Sequence, residues 1–229
     1  MVQAILEGRK TQTRRVVKHQ DEVRQTSDGI QLWTGFMGWQ PMSEAVSLCR
    51  HGVPGDRLWV REGFARVPAT AYRCSTGVHQ TADPGDSDMC VVYREGWERS
   101  LPGGWRSPIF MPRWASRITL EITEVRIERL QAISEADAVA EGSTMRPSCN
   151  GFRHANPGWS MDWSRVGEFS RFATAAQRGQ KAPLTEGDIS LTTARFAFAN
   201  FFDRIHGAGS WDTNPWVWVI EFKKVETVE

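Results

Sequence analysis

Lys10, Thr13 and Arg15 stand within one dense run of amines, guanidiniums and hydroxyls, Gly8-Arg9-Lys10-Thr11-Gln12-Thr13-Arg14-Arg15. Side chains of these types packed together offer an anion several donors at once. A lysine three residues before a threonine also sets a candidate base beside a candidate nucleophile, the minimum for acyl transfer. Lys10 serves as a base only after losing its proton, and like charges at Arg9, Arg14 and Arg15 push it that way. Gly8 lets the chain turn sharply because glycine tolerates positive φ. The competing reading is a helix end carrying favourable basic residues, followed by a solvated edge.

A second basic group lies in Pro112-Arg113-Trp114-Ala115-Ser116-Arg117, where an indole sits between two arginines. Phosphate contact and base stacking are one use of such a group. A charged strand entrance with one packed indole is the other. The chain is rich in tryptophan, with 11 residues. Most are expected to be wedges in an irregular core, and a few to line a cleft.

The wider composition excludes several classes. Net charge is +1, so nucleic-acid binding has to use local positive charge. The four cysteines show no Cys-x-x-Cys, and the five histidines are scattered, so no metal site is expected. No phosphate-binding glycine loop, His-Glu-x-x-His or Gly-x-Ser-x-Gly occurs, and no cofactor is expected. No apolar run reaches the ~18 residues of a membrane span, and the N-terminus does not read as a signal peptide. A cytoplasmic protein with reduced cysteines is expected.

The elements that must position these residues read as a mixed α/β fold, mainly β. Residues 2–7 read as a short helix stopped by Gly8, and residues 57–62 and 89–93 as strands. Residues 75–88 and 95–112 read as loops. Residues 118–130 alternate for a long way and slip phase once near Thr123-Glu124, the mark of a bulge or a corner in a strongly curved strand. Ser134 caps a helix over 134–142, with Asp137 three residues on and Gly142 as its stop. Residues 190–206 have helical spacing, and 216–222 read as a strand apolar on both faces. The chain is read as a single domain, 1–229. Residues 143–190 form an insertion or long crossover, whose Trp159 and Trp163 are expected to cover apolar surface. Short strands, few helices and long loops predict a small β-barrel decorated by short helices.

Four blocks in order resemble the ASCH family of PUA-like domains. They are Gly8-Arg9-Lys10-Thr11-Gln12-Thr13-x-Arg15, Pro54-Gly55-Asp56-Arg57-Leu58-Trp59-Val60, Ile133 to Gly142, and Trp218-Val219-Ile220-Glu221-Phe222-Lys223. The longer form, with Arg-Trp-Ala-Ser-Arg before the long strand, is similar to phage and prophage members in bacteria. The resemblance implies a PUA-like barrel. A small bacterial branch of the family hydrolyses N4-acetylcytidine to cytidine and acetate. Its catalytic Lys, Thr and Glu fall on Lys10, Thr13 and Glu141 here, and Arg15 falls where that branch also has an arginine. Other members are taken to bind RNA, and nuclease activity has been proposed for some. The leading expectation is therefore an amidohydrolase acting on a modified nucleoside. A non-catalytic RNA-binding module is the alternative, with Arg9, Arg14, Arg15, Arg113, Trp114 and Arg117 as contacts, and a ribonuclease is the third.

Overall fold

A computed structural model describes residues 1–97, 102–146, 158–161 and 193–225. In chain order the elements are α1 (Val2–Leu6), β1 (Gln12–Val16), β2 (Val23–Thr26), β3 (Gly29–Trp33), β4 (Trp39–Pro41), α2 (Met42–Ala45), β5 (Arg57–Trp59), β6 (Phe64–Pro68), β7 (Gln80–Asp83), β8 (Asp86–Tyr93), β9 (Thr119–Arg129), α3 (Glu135–Ala140), β10 (Ser143–Arg146), β11 (Gly158–Met161), α4 (Ala194–His206) and β12 (Trp216–Val225). The fold is mixed α/β and mainly strand, with a curled but open sheet decorated by short helices. Its strand order is β1-β12-β9-β5, so β1 and β5 are its edges.

The chain, read as one domain from its sequence, divides into two compact units. One is built from residues 3–54 and 123–222, the other from 55–122 and the C-terminal end from Lys223.

In the first unit, β1 pairs antiparallel with β12 from Gln12↔Glu221 to Val16↔Val217. Residues directly opposite share a face, and alternate residues face opposite ways. Gln12, Arg14, Val217 and Val219 therefore lie on one face, and Thr13, Arg15, Trp218 and Ile220 on the other. The first face carries a core in which Val217 and Val219 meet Leu130, Ile133, Phe198 and Phe202. Helix α4 supplies both phenylalanines, four positions apart on one side of the helix. Its N-cap is Thr193, whose hydroxyl accepts from the Phe196 N–H at 3.2 Å. Residues 143–146 and 158–161 form a hairpin, and Trp159 packs against the same core. Trp163 lies outside the described residues.

Helix α3 shows why a local pattern suffices for a short element. The Ser134 hydroxyl accepts from the Asp137 N–H at 3.0 Å, and Asp137 Oδ2 accepts from the Ser134 N–H at 3.1 Å. This capping box satisfies two donors that a helix start otherwise leaves open. Gly142 follows the helix at φ +105, a conformation that L side chains rarely adopt.

In the second unit, β5 pairs with the first residues of β9, Arg57↔Glu121 to Trp59↔Thr119. A separate sheet has the order β6-β8-β7. The expected loop over 75–88 is in part this hairpin, with Asp83-Pro84-Gly85-Asp86 as the turn between β7 and β8. Within β9, Leu120 and Ile122 are buried, Thr123 and Glu124 are exposed, and Val125 and Ile127 are buried again. The phase slip read from the sequence is thus the point where the strand changes its inward side.

Candidate active site on strand β1

Backbone contacts fix the basic segment before its side chains do. The Lys10 N–H donates to the Ala4 carbonyl at 2.9 Å, and the Thr11 N–H to the Ala140 carbonyl at 2.8 Å. The Phe222 N–H donates to the Thr11 carbonyl at 2.8 Å. The segment is thereby held by α1, α3 and β12.

Lys10, Gln12 and Arg14 then project toward α3 by the two-residue period of an extended chain. Lys10 Nζ donates to Glu141 Oε2 at 2.7 Å, to the Glu141 carbonyl at 2.8 Å and to the Gln12 carbonyl at 2.8 Å. Three donors meet three acceptors, the pattern of an ammonium. The Lys10 and Glu141 side chains are 3% and 4% exposed. Gln12 Nε2 donates to the Asp137 carbonyl at 2.9 Å and to Asp137 Oδ1 at 3.2 Å. Arg14 is closed to solvent and lies 3.3 Å from Glu128, 3.4 Å from Asp137 and 3.5 Å from Glu141. Arg126 joins the group through Glu128 at 2.6 Å and through Glu221.

The electrostatics follow from this packing. Burial pushes the Lys10 amine below its ordinary value. The Glu141 carboxylate opposes that shift by charge and hydrogen bond, while Arg15 and Arg14 add to it. At Asp137, burial disfavours the charge. The Ser134 hydroxyl and N–H, the Arg14 charge and the Gln12 amide outweigh burial and hold the carboxyl below its usual value. Glu141 Oε1 and Arg14 Nη1 and Nε are buried without hydrogen bonds. Arg14 Nη1 and Glu141 Oε1 face each other as an ion pair at 3.5 Å, so Arg14 Nε is the buried donor of this corner left without a partner among the described residues.

The other residues singled out from the sequence are distributed as follows. Thr13 is half-buried on the opposite strand face, and its hydroxyl has no hydrogen-bond partner among the described residues. Arg15 is exposed on that same face. His51 and His206, which look scattered in sequence, have pKa values lowered first by burial and then by the charge of Arg15. Arg9 is bound to Glu7 at 2.6 Å. In the second unit, Arg117 forks onto Glu62 at 2.9 and 2.8 Å and lies over the Tyr93 ring at 4.2 Å. Glu62 is fully buried, so this pair belongs to the packing of that unit. Arg113 is exposed and Trp114 half-buried.

Gln12, Glu128 and Arg126 are members of the site that the sequence reading did not select. The signal for Gln12 was its place two residues from Lys10 on an extended segment. Among the described residues, no group of three or more His, Cys, Asp or Glu side chains could hold a metal ion. No helix among them is long and apolar enough to cross a membrane. Compared with known proteins, the chain matches no family model, no curated protein and no solved structure.

Proposed function

We propose that the chain is an amidohydrolase that removes an acyl group from the exocyclic nitrogen of a modified cytidine, N4-acetylcytidine or a close relative. One observation carries the reading. Lys10 and Glu141, which the family resemblance pairs across the sequence, form a buried 2.7 Å contact. The PUA-like barrel belongs to the same reading, with the β1-β12-β9-β5 sheet as one wall of it.

The chemistry divides among three residues. Thr13 Oγ attacks the acyl carbon, and Lys10 takes its proton. The carbon–nitrogen bond then breaks, and Glu141 passes the proton that Lys10 took from Thr13 on to the departing amino group. Water releases the acyl group from Thr13 as the free acid. Burial and two neighbouring guanidiniums favour the neutral amine that the first step needs. Lys10 Nζ already rests on the Gln12 carbonyl, the peptide that carries the Thr13 nitrogen. Thr13 projects from the opposite face of β1, so substrate has to turn the backbone at Gln12-Thr13 to bring its hydroxyl to Lys10 Nζ in place of that carbonyl.

Incubation of the protein with N4-acetylcytidine tests this reading. Release of equal amounts of cytidine and acetate, lost in Thr13→Ala, is the expected result. No cytidine from the wild type overturns it. Salt-sensitive RNA binding without turnover would instead establish the RNA-binding role, and cleavage of labelled RNA a ribonuclease.

A further inference from the structure

The second unit holds a pocket of about 270 Å³ that the β1 site does not use. Its floor is Phe64 and Val91, both buried in a small core with Tyr93, Met111 and Ala115. Trp114 packs on that core and also lines the pocket. Its indole N–H has no hydrogen-bond partner among the described residues, although a half-buried indole usually finds one. Phe110 lines the pocket as well, yet is 73% exposed. A short turn holds it there, with the Phe110 N–H on the Ser107 carbonyl at 3.1 Å and the Met111 N–H on the Pro108 carbonyl at 3.1 Å.

The charges are arranged unequally. Arg66 is neutralised by Asp83 at 2.6 Å and faces Asp86 at 3.6 Å. Arg106 is anchored by its backbone, its N–H donating to the Phe64 carbonyl at 2.7 Å. Its guanidinium has no ion pair or hydrogen bond among the described residues. The pocket thus joins two aromatic faces, an apolar floor, a spare indole donor and one uncompensated cation.

We propose that this pocket binds a nucleotide, with the base against Trp114 and Phe110 and the phosphate on Arg106. Aromatic faces take any base by stacking, and a guanidinium pairs with phosphate oxygens. The volume lies just below the ~300–1,000 Å³ of ordinary ligand pockets, which suits one base rather than a dinucleotide. Bases inside a duplex have no free face to offer, so the ligand is a free mononucleotide or one unstacked residue of a single strand.

Calorimetric titration with uridine and adenosine monophosphates tests the first source. Fluorescence anisotropy with a labelled oligouridine, against a duplex of equal length, tests the second. Arg106→Glu and Phe110→Ala replace exposed side chains, and thermal melts confirm that both fold. Each is expected to weaken binding about tenfold or more. Binding of the mononucleotides identifies a free nucleotide, and binding of the oligouridine alone identifies a strand. No saturable binding of either at millimolar concentration overturns the proposal. So does binding that both variants leave unchanged, or a duplex bound as tightly as the single strand.

Discussion

Glu141→Gln keeps the shape of the side chain and removes its charge. At a Nζ–Oε2 separation of 2.7 Å and an effective dielectric of ~20, the lost attraction is about 6 kcal/mol. Desolvation of the two ions offsets much of that in the intact pair, so its net worth is small. Breaking it is different. Arg14 retains Glu128 and Asp137, but Lys10 retains only the neutral carbonyls of Gln12 and Glu141. A buried charge left uncompensated costs about 3–5 kcal/mol, a large share of the ~5–15 kcal/mol of a typical domain. Urea unfolding followed by far-ultraviolet circular dichroism should show that loss at neutral pH as a lower midpoint with an unchanged slope. Adding Lys10→Met removes the stranded ammonium and should restore part of the loss. The pH dependence has a definite sign. The folded Lys10 pKa lies below the ordinary 10.5, and loss of Glu141 lowers it further. Between that value and 10.5 the unfolded chain binds more protons, so the variant should gain stability as pH rises through this window. A loss under ~1 kcal/mol, with the double variant simply additive, would refute a buried Lys10–Glu141 ion pair.

Two further substitutions probe the frame around the pair. Gly142→Ala should cost about 1–3 kcal/mol in thermal unfolding. The new Cβ would meet Ala4 and Lys10 only at 3.5 and 3.6 Å, so the cost comes from φ +105 rather than from collision. Asp137→Asn should cost about 1 kcal/mol at neutral pH through the weakened capping box. Asp137 titrates in the folded state below its ordinary 3.8. Its contribution is therefore complete above that value and lost as pH falls through the folded one. The urea midpoints of wild type and variant should accordingly differ above the ordinary value and converge as pH falls well below it, and a gap that acid leaves unchanged would contradict this assignment.

Local patterns carried the elements that local chemistry decides. Ser134, Asp137 and Gly142 mark both ends of α3 without help from the rest of the chain. The slip at Thr123-Glu124 announced the change of inward side in β9. Strand β7 and the first residues of β8 read as a loop because Gln80-Thr81-Ala82 lacks apolar alternation, and β7 gains its register only by pairing with Val92 to Cys90 across the turn. The site divides the same way. Lys10 and Thr13 were visible by type and spacing, but the partnership of Lys10 with Glu141 entered through family resemblance. The burial of Arg14 was not visible, since Glu128, Asp137 and the Phe198 ring that enclose it lie more than a hundred residues away. Taken locally, Arg14-Arg15 reads as one solvated pair. Strand alternation sends the first inward and leaves the second exposed.

The pH–rate profile for cytidine release from N4-acetylcytidine is the most direct measurement of Lys10 as the base and Glu141 as its buried partner. In the wild type, kcat/KM should rise with pH along a limb that levels off below the ordinary lysine value, because burial favours the neutral amine. Lys10→Met should lose about 10²–10⁴-fold in rate and with it the limb. Glu141→Gln should shift whatever rate remains to a limb at lower pH, since the carboxylate no longer holds the proton on Lys10. A wild type that releases no cytidine contradicts the assignment, as does a limb that neither Lys10→Met nor Glu141→Gln moves.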